Sequence, residues 1–320
     1  MTQQSSATLS QAPVVLQRSG LAWGLLGVTA FSFTLPFTSM AVAGGMSPMF
    51  VGSARAVLAA VLAAAALMLT RQHLPQGVQW LRLAVVAAGV VAGFPLLTSF
   101  ALETAPAGHG AVVIGLLPAA TAVAVVIRTR EQPPRAFWVA AGVGALAAML
   151  FALAAGGGVS GLHWSDLLLF LAVVAGAVGY AEGGLLSREL GAWQTISWAL
   201  VVAAPLMVVL AGTSVLDRTP TGTPGTWAAF AYLGVVSMFL GFFAWYRGLS
   251  IGPMTRVSQV QLVQPVMTIC WAALLLDERV TWLTVVGGVA VIACAAGAVV
   301  VRSSAVRSSN RDARRESASK

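Results

Sequence analysis

The chain has 320 residues, of which 58% are hydrophobic and 9% charged, whereas a soluble domain carries about 25% charge. So few charges cannot cover a water-facing surface, which excludes an ordinary soluble domain and leaves a polytopic membrane protein. The net charge of +8 does not point to nucleic acid, because six of the eighteen basic residues (Arg302, Arg307, Arg311, Arg314, Arg315, Lys320) follow the last apolar stretch, as a cytoplasmic basic flank does.

Residues 1–18 are rich in Ser, Thr, Gln and Ala, with Arg18 their one charge, and read as a short disordered tail without the basic start of a signal peptide. From Leu21 onward, apolar stretches broken by polar or Gly/Pro residues predict helices near 21–42, 49–70, 81–102, 107–127 and 136–155. Five more are expected near 166–186, 194–213, 226–248, 256–276 and 281–301. Each run has the roughly 20 apolar residues that span hydrocarbon, and none shows the strict alternation of a barrel strand. With both termini in the cytoplasm, Arg18, Arg71, Arg82, Arg128, Arg130, Arg135, Arg188, Arg247 and Arg256 lie on or near that side, against Arg218 and Arg279 outside. This bias orients a multi-pass protein of the plasma (inner) membrane with both ends cytoplasmic. Cys270 and Cys294 fall within predicted helices and read as packing residues rather than a disulfide.

Residues 101–131 align without a gap on 248–278, at a constant offset of 147. The matched pairs include Pro106 with Pro253, Pro118 with Pro265, Thr121 with Thr268 and Glu131 with Glu278. Five helices per half is an odd number, so the second copy enters the membrane from the opposite face. The expected fold is an all-α membrane protein of about ten transmembrane helices in two inverted five-helix repeats. Its parts are a tail (1–18), a first repeat (19–157), a second repeat (158–302) and a basic cytoplasmic tail (303–320).

The run Pro106, Pro118, Glu131 and its copy Pro253, Pro265, Glu278 resembles the EamA-domain branch of the drug/metabolite transporter superfamily. Tyr232, Trp245, Tyr246, Gly248, Pro253 and Ser258 are similar to that family's eighth and ninth helices, and Arg55 to its usual arginine in the second. The resemblance covers about residues 20–301 and departs at Arg128-Thr129-Arg130-Glu131, where the family has a short acidic, glycine-containing run. It implies a ten-helix secondary permease, often an exporter of amino acids or other small metabolites, with a central cavity between the halves.

A proline within a helix frees the carbonyl four residues earlier, which in lipid requires another donor. Pro118 and Pro265 are thus candidate hinges, or static kinks. At 100° per residue, Gln261, Gln264, Thr268 and Trp271 share one face, and suit either a substrate cavity or interhelical hydrogen bonds. Phe239 and Tyr246 in the eighth helix, and Phe33 and Phe37 beside Pro36 in the first, are aromatic candidates for the same cavity or for packing. Arg55 is an ionisable group at membrane depth, a candidate for binding an anion or pairing with a carboxylate. Glu182 is a candidate for a coupling proton, or a structural partner of Arg188, Arg247 or Arg256. Glu131 and Glu278 read as helix-end groups.

The expected partners are a small-molecule substrate and the lipid bilayer, with no cofactor, metal or nucleic acid. Gly158-Val159-Ser160-Gly161 near His163 has the outline of a serine-protease motif, but no later helix holds a histidine to act as base. No Walker loop or metal-binding histidine cluster occurs in the sequence, so a secondary carrier leads. A channel or a non-transporting scaffold stands as the alternative.

Overall fold

A computed structural model describes residues 14–130, 134–155, 163–251, 260–294, 296–297 and 300. Among the described residues, seven helices are long and apolar enough to cross a membrane: α1 (Gly20–Ala43), α2 (Pro48–Leu69), α3 (Val78–Ala101), α4 (Ala107–Thr129), α6 (Trp164–Leu190), α7 (Ala192–Asp217) and α8 (Pro224–Ile251). Three apolar helices are shorter: α5 (Arg135–Phe151), α9 (Gln261–Leu276) and α10 (Trp282–Cys294). No strand occurs among the described residues. The first helical turns begin at Val14, so residues 14–18, expected as tail, are helical. The 158–161 motif and the basic tail lie outside the described residues.

Helix starts follow from local chemistry. Ser47 and Thr223 each precede a proline, and their hydroxyls accept the N–H of Phe50 (3.2 Å) and Thr226 (3.3 Å), satisfying donors that a helix start leaves free. Asp166 closes the first turn of α6 by accepting the His163 N–H at 3.0 Å, and its other oxygen lies 2.6 Å from Nε2 of His109 on α4. Arg130 and Asp277, 147 residues apart, both take the left-handed conformation (φ 56° and 52°) that ends α4 and α9. Glu278 then accepts the N–H groups of Ala107 and Gly108, at 2.7 and 2.8 Å, across the bundle. Its helix-end role thus serves α4 of the other half, where a carboxylate complements the positive end of the helix dipole. Its counterpart Glu131 lies outside the described residues.

The two halves interlock. The first helix of each packs on the third of the other, α1 on α8 and α6 on α3, while α2 packs on α7 between them. Glycines let both exchanged pairs approach to backbone contact. A Cβ added at Gly248 would meet Gly24 N at 2.7 Å, and one at Gly89 would meet Gly179 Cα at 2.9 Å. Small residues favour such crossings in lipid, where packing replaces the hydrophobic effect between helices.

The third helix of each half also carries a π-helical stretch, Ala87–Gly93 in α3 and Leu233–Leu240 in α8. Val90 and Ser237, 147 residues apart, lie within them and face the same space. Of the cysteines, Cys294 is partly buried, but Cys270 is exposed. The expectation of a packing role fails for Cys270, because a helix in hydrocarbon needs no polar outer face to hide an apolar thiol from.

Candidate functional site

The first helix is interrupted at Phe33, between stretches ending at Ser32 and beginning at Thr34. Pro36 has no N–H for the carbonyl of Ser32, four residues back. The Thr268 hydroxyl donates to that carbonyl at 2.9 Å, and Trp271 Nε1 donates to the Ser32 hydroxyl at 3.0 Å. Trp271 also stacks on Phe33 with ring centroids 4.4 Å apart, and Phe33 and Phe37 pack against Tyr232. Four of the expected residues, Thr268, Trp271, Phe33 and Phe37, therefore form one junction of α1, α8 and α9.

The duplicated prolines meet. Pro118 and Pro265 line one small space with Ile114, Leu117, Gln261, Gln264 and Thr268. In each case the proline follows an interruption at the same repeat position, Gly115–Leu116 in α4 and a 3-10 turn at Gln261–Val263 in α9. Ile114 and Leu117 in one copy correspond to Gln261 and Gln264 in the other, so one wall is apolar and its repeat-related wall carries amides. Among the described residues, Gln261 Nε2 and Gln264 Oε1 have no hydrogen-bond partner, a costly condition for buried polar atoms.

Gln264 connects this space to a central cavity of about 30 Å³, room for about one water. Thr34 and Ser237 share a 2.7 Å hydrogen bond beside it. Arg55, 1% exposed, enters from α2. Its NH1 donates to Thr38 at 3.2 Å and its NH2 to Thr98 at 3.5 Å, while Nε has no partner among the described residues. Phe31, Phe94, Tyr180 and Phe242 form the aromatic side. Tyr246 lies just beyond, its ring against Phe242 and its hydroxyl against Gly183. Phe239 is partly buried against the core and lines neither space.

Glu182 sits elsewhere. Its carboxylate is buried between Arg82 of α3 and Arg128 of α4, and Arg82 also pairs with Glu189. Of the partners expected from sequence, Arg188 is not among the ion-pair partners of Glu182 in the described residues, Arg247 lies over the Trp23 ring at 5.5 Å, and Arg256 is outside the described residues. A shared cytoplasmic end suggested those arginines, whereas the packing of α6 on α3 and α4 brings Arg82 and Arg128 to the carboxylate. Arg128 and Glu182 also close one end of a crevice of about 630 Å³ between α4, α5 and α6, whose remaining walls are apolar. This crevice opens beside Ile127, Val174 and Val178, which are exposed, and its two polar lining groups, Arg128 and Glu182, are paired with each other.

Thr34, Thr38, Thr98, Ser237 and the ring of Tyr180 were not anticipated. The one available signal was two threonines flanking Pro36 at positions 34 and 38, one helical turn apart and hence on one face.

The chain matches the model described as the EamA-like transporter family twice, over residues 18–153 and 163–300. It is 44% identical over 276 residues to the uncharacterized transporter YdeK of Bacillus subtilis (strain 168), covering 86% of this chain and 95% of that protein. A protein known from a crystal structure superposes with a TM-score of 0.61 at 18% identity, covering 88% of this chain and 98% of its own. That likeness concerns the fold.

Proposed function

The chain belongs to the EamA-like transporter family, and on that premise we propose that it is a secondary carrier exporting small metabolites, such as amino acids or related compounds. The proposed transmembrane unit is ten helices in two inverted repeats, the three shorter helices completing the seven long ones, in the plasma membrane with both ends cytoplasmic. The family supports transport, and the basic-residue bias supports the orientation. Alternating access between the halves is the proposed mechanism. The observation that carries it is the meeting of Pro118 and Pro265 beside Gln261 and Gln264, each with one amide atom unpartnered among the described residues. Two interrupted helices at equivalent repeat positions, with polar groups between them, form a bistable centre that a solute can bias.

In this reading Gln261, Gln264 and Arg55 contact substrate, Pro118 and Pro265 are hinges, and the Phe33, Phe37, Thr268 and Trp271 junction transmits movement between α1 and α9. Phe239 and Tyr246 shape the surrounding wall. Glu182 is a candidate for a coupling proton by depth alone, but arginines engage both its oxygens, which favours an anchor joining α3, α4 and α6. A solute larger than water requires the central cavity of about 30 Å³ to widen, as alternating access would allow.

Counterflow in proteoliposomes tests the function: saturable exchange of a labelled metabolite is expected, and non-saturable conductance without counterflow overturns it. For orientation, a membrane-impermeant thiol reagent on intact cells should label a cysteine at Ser160 and spare one at Ser303. The reverse pattern inverts the topology.

A further inference from the structure

We infer that Arg55 is a receptor for a carboxylate, so that the carried solute is a small organic monoacid or amino acid with an apolar body. The inference rests on the carrier reading and adds the chemistry of recognition. Arg55 is buried within a membrane-spanning helix and lines the central cavity. It makes none of the ion pairs among the described residues, and its hydrogen-bond partners are two neutral threonine hydroxyls. An unpaired charge in a low-dielectric interior is expensive, and a guanidinium retains its charge there. Such an intramembrane charge marks a functional site by default, and an arriving anion would supply the partner it lacks.

The donor geometry narrows the anion. Thr38 takes NH1, while Nε is unpartnered among the described residues and the NH2 contact to Thr98 is long at 3.5 Å. Nε and NH2 form the side edge of the guanidinium, whose paired donors match the two oxygens of a carboxylate. A phosphate dianion would call for a second cation, and Arg55 is the single cationic side chain lining this cavity among the described residues. The rest of the lining is chiefly apolar, with Phe31, Tyr180 and Phe242 around the solute's body. Apolar and aromatic walls with a few fixed polar groups are the usual make-up of a small-molecule site.

The test uses the full chain in lipid nanodiscs and three matched sets of probes: leucine, leucinamide and isoamylamine; phenylalanine, phenylalaninamide and phenethylamine; phenylacetate and phenylacetamide. Binding is read by thermal shift. At least one acid should raise the melting temperature, with its amide or amine binding at least about tenfold more weakly. Arg55→Gln should abolish that preference. Arg55→Lys, which keeps the charge without the paired donors, should weaken the acid by about tenfold or more, and serves as the test if the Gln variant does not fold. The inference is overturned if no acid binds, if amide and acid bind equally, or if the Arg55 variant that folds binds as the parent does. Counterflow of the bound acid is measured separately. An acid that binds through Arg55 but never exchanges overturns the carrier reading alone, whereas saturable exchange of an amine or amide with no preference for acid overturns the receptor alone.

Discussion

The hydroxyl of Thr268 donates to the backbone carbonyl of Ser32, the acceptor that Pro36 leaves without its helical donor. A gap in one helix is filled from another, and this ties the interruption of α1 to α9. Polar contacts between membrane helices average about 0.6 kcal/mol, but an acceptor left unsatisfied in a buried site costs about 1–3 kcal/mol. Thr268→Val should therefore destabilise the protein by about 1–2 kcal/mol. On a Pro36→Ala background, which restores the local N–H, the same substitution should cost much less. A double-mutant cycle on unfolding free energies measures this coupling, and equal costs on both backgrounds would refute the account.

Glu278→Ala removes both acceptors at the start of α4. Loss of a cap costs about 1 kcal/mol, and the lost charge–dipole interaction adds about 0.3–1 kcal/mol. The meeting of α4 with α9 should loosen at that face. Spin labels on cysteines at Thr104 and Val280, with the native cysteines replaced, should show a broader and longer distance distribution in the variant. An unchanged distribution would mean that the contact holds nothing together.

Gln261→Leu combined with Gln264→Leu should impair transport while leaving the melting temperature unchanged or slightly raised. Among the described residues, Gln261 Nε2 and Gln264 Oε1, two of the amide atoms these substitutions delete, have no partner to lose, and leucine fills a similar volume. A folded double variant with unaltered exchange of an identified substrate would reduce the glutamines to helix contacts.

Glu182→Gln leaves Arg82 with Glu189 and strips Arg128 of its partner. Because Arg128 is 50% exposed, the cost should be about 1–3 kcal/mol, below the 3–5 kcal/mol of a fully buried pair. Arg128→Gln in addition should recover part of it. Counterflow and accumulation driven by a pH gradient should both survive. Loss of accumulation with counterflow intact would instead assign the coupling proton to Glu182.

The sequence exposed what repeats in register and what recurs at helical spacing. Pro118 and Pro265 were legible because a duplicated breaker keeps its position, and Gln261, Gln264 and Thr268 because residues three and four apart share a face. The π-helical stretches were not legible, since Ala87–Gly93 and Leu233–Leu240 have ordinary apolar compositions and the extra residue per turn shows only in the backbone. Nor were the partners of Arg55 and Glu182. Thr98 and Arg82 reach them from α3, and no local pattern states which helix lies beside which. Glu278 was legible as a helix-end group, but its target on α4 was not, because the contact crosses between repeats.

The glycine-lined crossings of α1 on α8 and α6 on α3 bear on how the gene tolerates being cut. Each half lends its first helix to the other, so neither polypeptide alone has a neighbour for those bare backbone faces. A break made between Ala155 and His163 should yield two fragments that are degraded when expressed singly and accumulate when co-expressed, restoring export by complementation. Gly248→Leu in one fragment should abolish the rescue, because the added side chain has no room at a Cβ already 2.7 Å from Gly24 N. A fragment that folds and persists alone would show that the exchange of first helices is dispensable to assembly.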